Sequence, residues 1–284
     1  MIRFSIITCT YQAAAVLQRT LDSVLHQSYP HLEHIILDGA STDDTVSMVK
    51  HYMEENEAQE DCIHDIIFTS ERDNGLYDAM NKGIMKATGD YLVFLNAGDV
   101  FPSPDTLEHI AGCVGEGETL PGVLYGDTDI VDNNGHFLRH RRLSAPKKLT
   151  WRSFRSGMLV CHQAFYARTD IAKQNLYDLH FKLSADVDWC IRVMKTAAQQ
   201  HLPLRNVNAV IVNYLAGGLS IKNHRASLKE RFLVMCQHYG FCTTAIFHIW
   251  FLIRSIIRKL CEKCYFLIIF FFISLLQRIF AALN

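Results

Sequence analysis

The sequence predicts an α/β fold, a mostly parallel β-sheet flanked by helices, followed by an apolar and basic helical tail. Three observations lead there. Short strand-like runs alternate with stretches of helical periodicity through the first hundred residues. Polar and acidic residues recur directly after those runs. The charge balance also changes sign along the chain: residues 1–220 carry 27 acidic and 19 basic side chains, residues 221–284 carry 2 and 9. A length of 284 residues with 49% hydrophobic side chains supports a sizeable core and excludes a disordered chain. A net charge of -1 offers no overall basic excess, so no nucleic-acid partner is expected.

The elements follow in order. Residues 4–8 read as a buried strand. Val16, Leu17, Leu21, Val24 and Leu25 then repeat at helical spacing. Residues 34–38 form a second strand. Ser41 or Thr42 is the expected N-cap of a helix through Tyr52, with Asp43 and Asp44 in its first turn. Residues 66–69 are a third strand, residues 76–87 a helix stopped by Gly89, and residues 91–95 a fourth strand. Strand–helix alternation of this kind implies right-handed crossovers. Residues 100–160 read as α/β with more irregular connections. Val123-Leu-Tyr125 is another strand leading into Asp127 and Asp129. Arg139-His-Arg-Arg142 is a basic cluster, read as a solvated face. Ser184-Ala-Asp-Val-Asp-Trp-Cys-Ile-Arg192 reads as a loop entering an amphipathic helix.

Open α/β sheets bind ligands beyond the carboxyl ends of their strands. The strand ends here are Thr8-Cys-Thr-Tyr11, Asp38-Gly-Ala-Ser-Thr-Asp-Asp44, Ser70-Glu-Arg-Asp-Asn-Gly75 and Asn96-Ala-Gly-Asp99. Each alone could be a turn or cap; their recurrence at one edge points to a polar site. Neither a P-loop nor a G-x-G-x-x-G fingerprint occurs.

Nine scattered cysteines, an odd number, argue for free thiols in a reducing compartment. Cys261 and Cys264 are read as two helix-face thiols. No basic n-region with an apolar h-region opens the chain, so no secretory signal is expected. In the tail, residues 265–276 are apolar except for Ser274 and are flanked by Lys263 and Arg278. That is shorter than the roughly 18–20 residues a bilayer crossing needs. Residues 245–257 are a second such stretch. Two basic, aromatic-rich helices lying in the membrane interface are expected, with a membrane-inserted hairpin or an oligomer contact as alternatives.

Four stretches together resemble family 2 glycosyltransferases of the Rossmann-like GT-A fold. They are Phe4-Ser-Ile-Ile-Thr-Cys-Thr-Tyr-Gln12, Ile36-Leu-Asp-Gly-Ala-Ser-Thr-Asp-Asp-Thr45, Asp73-Asn-Gly-Leu-Tyr-Asp-Ala-Met-Asn-Lys-Gly83 and Ala87-Thr-Gly-Asp-Tyr-Leu-Val-Phe-Leu-Asn-Ala-Gly-Asp99. Within that family they are similar to colanic-acid and amylovoran type enzymes of bacterial exopolysaccharide assembly. The resemblance covers about residues 1–220: a nucleotide-binding half (1–100) and an acceptor-binding half (101–220), with a membrane-associating tail at 221–284.

The resemblance implies an inverting sugar transferase that uses a nucleotide-sugar donor, a UDP-sugar, and a lipid-linked (polyprenyl-diphosphate) glycan acceptor at the cytoplasmic face of the inner membrane. It places Thr8, Thr10 and Tyr11 in the base and ribose pocket. Asp38 is then the acceptor for the uracil N3–H, and Arg72 and Asp73 contact base or ribose. The family's acidic metal motif is thinned to Asn96-Ala-Gly-Asp99. Asp99 is therefore the expected ligand of Mg²⁺ or Mn²⁺, with Asn96 a ribose or outer contact. Asp186 is the expected base, with Asp188 as runner-up; the alternative for both is acids complementing a helix dipole. Trp189 and His162 fall near the acceptor, and His224 and Arg225 near the phosphates, with core packing the alternative for the first two. Two other readings remain open: a catalytically inactive nucleotide-binding scaffold, favoured by the thinned motif, and a nucleotidyltransferase, disfavoured because residues 8–20 supply only Arg19 as a cation. The oligomeric state is left open.

Overall fold

The computed structural model describes residues 1–59, 64–115, 119–217, 223–253 and 256–257. The early strands are β1 (Phe4–Thr10), β2 (Leu32–Asp38), β3 (Asp65–Ser70) and β4 (Tyr91–Phe94). They lie in the order β3-β2-β1-β4 and are all parallel. The connecting helices are α1 (Ala14–Leu25), α2 (Thr45–Glu57) and α3 (Leu76–Lys86). Every residue of β1 and β2 is buried, as expected of central strands covered on both faces. Helix α3 lies close against the sheet through Gly83, where an added methyl group would sit 2.5 Å from Ile7 Cγ2.

Beyond β4 the sheet becomes mixed. β5 (Val123–Val131) and β6 (Phe137–His140) form a hairpin, which can only be antiparallel. β7 (Phe165–Arg168) runs antiparallel between β4 and β5, and β8 (Leu204–Leu215) pairs parallel with β5. The expected parallel order thus holds for the first four strands only. The later helices are α4 (Thr106–Gly112), α5 (Thr169–Gln174), α6 (Ala185–Gln199) and α7 (His224–Tyr239).

Helix α2 starts three residues after its expected cap. Ser41 donates to Asp38 Oδ1 at 2.5 Å and accepts from Gln12 N at 2.8 Å; Thr42 accepts from Gln12 Nε2 at 3.0 Å. The Asp43 carboxylate takes Thr45 N and Ala14 N. These side chains are spent tying the β1 and β2 loops together, so the helix begins only where they run out. Gly89 is likewise not the stop of α3, whose C-cap is Ala87. It lets the turn pass β1, where a methyl group would meet Arg3 O at 2.7 Å.

Contacts divide the chain into a unit Met1–Val234 and a unit Met235–Asn284. In the second, residues 241–253 are helical and expose Phe241, Ile246, Ile249, Trp250 and Leu252. Among the described residues no helix is long and apolar enough to cross a membrane. Cys261, Cys264 and residues 265–276 lie outside the described residues.

Three imidazoles are buried among the described residues, His34, His64 and His162, and burial lowers the pKa of each. His34 is held between Thr8 Oγ1 and the Tyr52 hydroxyl, each at 2.9 Å, and burial drives its pKa down to about 3. His162 stacks on Phe94 and bonds Tyr177 OH, and burial lowers it to about 3 as well. The unfolded chain takes up these two protons below about pH 6.5 and the folded chain does not. Stability is therefore fully present above that pH and falls as pH drops from about 6.5 towards 3. Each of these two imidazoles, His34 and His162, is expected to remove about 2 kcal/mol between pH 7 and pH 5. Urea midpoints at the two pH values check this, with His34→Gln expected to flatten the difference.

Candidate active site

A cleft of about 1060 Å³ opens at the carboxyl ends of the parallel strands. One wall comes from the loops after β1, β2 and β3. Tyr11, 67% exposed, forms an aromatic lip beside Gly39. Gly39 leaves room for Tyr11 and Asp73: a methyl group there would lie 2.9 Å from Asp73 Oδ2 and 3.3 Å from the Tyr11 ring and would push the Asp73 carboxylate aside. Asp73 in turn accepts from Gly75 N at 2.8 Å, and Gly75, at φ +111°, turns the chain into α3. Arg72 completes this wall. The structure thus brings Thr10, Tyr11, Arg72 and Asp73 around one opening, with Asn96 and Asp99 on its floor.

Two of the expected nucleotide residues do not face the opening. The Thr8 hydroxyl is buried inside the sheet, bonded to His34 Nε2 and donating to Leu95 O at 2.8 Å. Neighbouring strands cover β1 that far, and only Cys9 and the residues after it reach the cleft. Asp38 is 2% exposed, and its carboxylate already receives Thr10 Oγ1, Ser41 Oγ, Ser41 N and Ser70 Oγ. Four donors fill the capacity of a carboxylate. Burial pushes its pKa up, but these bonds outweigh burial and hold it below the usual range. Asp38 shapes the loop that carries Gly39 and accepts no further donor.

The floor is a tight turn. Asp99 N donates back to Asn96 O at 2.9 Å, with Gly98 at φ +96°. The Asp99 carboxyl, 3% exposed, accepts Leu215 N at 2.9 Å at the end of β8 and also bonds the Gln163 side chain. Burial raises its pKa to about 7 against those bonds and the pull of Arg19. Asn96 Oδ1, next to it, is buried without a partner among the described residues. A buried carboxylate and an orphaned carbonyl oxygen suit a hard divalent cation whose other ligands are phosphate oxygens and water. Among the described residues no three His, Cys, Asp or Glu side chains could hold a metal by themselves.

Of the His162-Gln163 pair expected near the site, Gln163 does line the far wall, but sequence reasoning missed the rest of that wall, Tyr214, Leu215 and Ala216. The only signal for it was that β8 is itself a parallel strand, so its carboxyl end belongs at the same edge.

Asp186 opens α6 and is half-buried. Burial raises its pKa, and the Arg231 guanidinium and Val187 N–H partly restrain the rise. The Tyr214 phenol is pushed up by burial and then by the Asp99 and Asp186 carboxylates, so it senses both. Two groups fix the start of α6. Glu230 of α7 accepts Lys182 N, Leu183 N and Ser184 N at 2.7–3.1 Å. The Tyr77 hydroxyl of α3 faces the N–H groups of Ala185 and Asp186. Glu230 thus holds the three amides that lead into the helix, and Tyr77 faces two of its first-turn donors.

The runner-up base, Asp188, and the expected acceptor residues Trp189 and His162 are held in packed contacts. Asp188 is ion-paired with Arg192 at 2.7 Å and 4% exposed. Trp189 is fully buried and stacks on Tyr177 at 5.1 Å; His162 belongs to the same aromatic cluster. Large aromatic rings beneath the first turn of α6 pack it against β4. Arg225 is exposed on α7; the side chain of His224 and residues 218–222 lie outside the described residues.

A nucleotide-sized cleft at the strand ends carries Asn96 and Asp99 on its floor; Asp186 is not among its lining residues, and Tyr214 of the far wall is the group that feels both carboxylates, an arrangement that suits a GT-A-type group transferase. Comparison with known proteins places it further. The profile of glycosyl transferase family 2 matches residues 5–174, and the chain belongs to that family. It is a glycosyltransferase. A PGL/p-HBAD biosynthesis glycosyltransferase of Mycobacterium tuberculosis is 34% identical over 219 residues, 76% of this chain and 78% of that protein. A putative teichuronic acid biosynthesis glycosyltransferase, TuaG of Bacillus subtilis, is 38% identical over 95 residues, 34% of this chain and 35% of that one. Among solved structures, S. aureus TarS 1–349 in complex with UDP superposes with a TM-score of 0.60 at 15% identity. The match covers 83% of this chain and 66% of that one, just under two thirds. The mannosyltransferase PcManGT from Pyrobaculum calidifontis, in complex with GDP-Man and Mn²⁺, matches at 0.55 and 18% identity, over 87% and 74%. These named relatives belong to PGL/p-HBAD and teichuronic acid biosynthesis rather than to exopolysaccharide assembly.

The Tyr77 contact gives a prediction. Tyr77→Phe keeps the ring stacked on Tyr177 (5.2 Å between centroids) and removes only the hydroxyl that faces α6. The expected result is a loss of about tenfold in kcat with donor KM unchanged, because the base is displaced and the nucleotide wall is not. Steady-state kinetics with each substrate varied separate the two.

Proposed function

We propose that this glycosyltransferase moves a sugar, with inversion, from a UDP-sugar to a lipid-linked glycan carried on polyprenyl diphosphate, in the synthesis of a bacterial surface polysaccharide. The colanic-acid and amylovoran likeness of its motifs supports the exopolysaccharide branch of that class. The observation that carries the reading is the cleft floor, where Asn96 Oδ1 is buried without a partner among the described residues and the Asp99 carboxyl is buried with it; the base role of Asp186, at the head of α6, comes from the family resemblance.

In this reading the nucleotide lies along the wall of Tyr11, Gly39 and Asp73, and its diphosphate reaches the floor. Asp99, with Asn96 Oδ1, would hold Mg²⁺ or Mn²⁺, which would neutralise the charge that develops on the leaving diphosphate. Asp186 takes the proton of the acceptor hydroxyl while that oxygen attacks the anomeric carbon. The bond to the diphosphate breaks with its electron pair leaving on the nucleotide. One base and one displacement give inversion. The exposed apolar face of residues 241–253 supports a membrane-associating tail at the cytoplasmic surface of the inner membrane.

The test is UDP binding by calorimetry with and without Mn²⁺, on the detergent-solubilised full chain and on Asp99→Ala. Binding that needs Mn²⁺ and is lost in the variant supports the reading. Tight binding indifferent to both would place the metal elsewhere, and preference for GDP over UDP would overturn the donor assignment.

A further inference from the structure

The catalytic unit carries a second charge asymmetry that its proposed chemistry does not use. Residues 133–169 contain eight Lys and Arg and no Asp or Glu, so all 27 acidic side chains of residues 1–220 lie elsewhere. These residues begin in the turn of the β5–β6 hairpin, and residues 133–140 are exposed without interruption. Of the acids of β5 and its end, Asp129 is turned to His140 at 2.7 Å and Asp132 to His136 at 3.3 Å. At its edge strand stand Phe137 and Leu138, 56% and 53% exposed, followed by Arg139, His140 and Arg142. Lys147, Lys148 and Arg152, also exposed, follow in the next loop and turn. Arg141 turns inward, donating to the carbonyls of Leu143, Met158 and Leu159, and Arg168 is ion-paired with Asp170.

We infer that the β5–β6 hairpin and the loop after it form a docking surface for an anionic lipid bilayer, distinct from the C-terminal tail. Adjacent exposed large apolar side chains followed in the chain by exposed Arg and Lys match an interface that is apolar below and negatively charged above. The location fits the occupant. The carboxyl end of β5 is bonded to the cleft wall itself, Ala216 N donating to Val131 O at 2.9 Å, and Arg19 of α1 reaches Asp132 O at 3.0 Å. The hairpin therefore stands at the edge of the sheet where an acceptor enters, and a bilayer seated there is beside the cleft. A second copy is disfavoured, because like charges along an edge strand oppose pairing with an identical edge. This inference extends the membrane reading of the tail, and its test separates the two.

The experiment is co-flotation of the full chain with phosphatidylcholine vesicles, with and without a quarter of phosphatidylglycerol. The variants are R139E/R142E and F137S/L138S on the hairpin and I249E/L252E on the tail, with thermal unfolding as the folding control. R139E/R142E is expected to lower affinity for the anionic vesicles by about tenfold or more and to leave the neutral ones unchanged. F137S/L138S is expected to weaken both. K147E/K148E replaces R139E/R142E if that pair unfolds the protein. Wild-type affinity in the hairpin variants, with loss only in I249E/L252E, overturns the hairpin surface and leaves the tail reading standing. Tighter binding to single-stranded RNA than to anionic vesicles overturns it too, assigning the patch to nucleic acid.

Discussion

Asp186→Asn is expected to lower kcat by about 10²–10⁴-fold and to leave UDP binding within about twofold, because general-base catalysis is worth that much and the amide keeps the side chain's shape. Burial raises the Asp186 pKa. The carboxylate is the active form, so wild-type kcat/KM should climb with pH along an acid limb above the ordinary carboxylate range. That limb should disappear in the variant. Asp188→Asn is the control. Its carboxylate is committed to Arg192, so its loss should appear as a lower unfolding temperature with kcat nearly unchanged. Initial rates across pH, beside calorimetric UDP titrations of both variants, decide the assignment. A normal kcat in Asp186→Asn would return the base to an unassigned group.

The second large effect belongs to Asp99, where stability and activity should move in opposite directions. Asp99→Asn preserves an oxygen for Leu215 N but removes the charge that a cation needs. A loss of about 100-fold or more in kcat/KM is expected. The wild-type carboxyl titrates near pH 7 in the folded, metal-free protein. Its folded pKa lies above its unfolded value. The folded state therefore binds the extra proton, and metal-free stability falls as pH rises from about 4 through 7. Above pH 7 the buried charge is a liability that the amide lacks. Metal-free Asp99→Asn should melt higher than wild type at pH 8, and added Mn²⁺ should close that gap by stabilising wild type alone. Metal-dependent UDP binding by wild type should strengthen with pH up to about 7, as the competing proton leaves. Thermal melts with and without Mn²⁺ check the first, calorimetry at two pH values the second. Equal melting of the two metal-free proteins at pH 8 would show that Asp99 is not a strained carboxylate.

The first four strands were legible because each is a short apolar run closed by a polar turn, and the Tyr11, Arg72, Asp73 and Asp99 loops followed from where parallel strands end. The failures share a cause. Thr8, Asp38, His162 and Trp189 carry the right chemistry at the right edge of the sequence, but burial decides their use, and burial depends on partners far away in the chain. Asp38 is filled by Ser70, 32 residues on, and His162 is claimed by Phe94 and Tyr177. Ser41 and Thr42 misled for the same reason, since their hydroxyls serve Asp38 and Gln12 rather than a helix. The wall at Tyr214, Leu215 and Ala216 was illegible because β8 pairs with β5 out of chain order, and no local pattern announces that.

The clamp of Glu230 on residues 182–184 sets a rule for shortening this chain. A protein ended after residue 220, where the family resemblance stops, would lose the carboxylate that satisfies three amides directly ahead of Asp186. It would shed the apolar tail and, in the same cut, fray the turn that holds the base. A protein ended after Val234 keeps that carboxylate and still leaves out Phe241, Ile249 and Trp250. Soluble preparations for kinetics or crystallisation therefore have a stopping point well inside α7, and a truncation found inactive at 220 would say nothing about whether the tail takes part in catalysis.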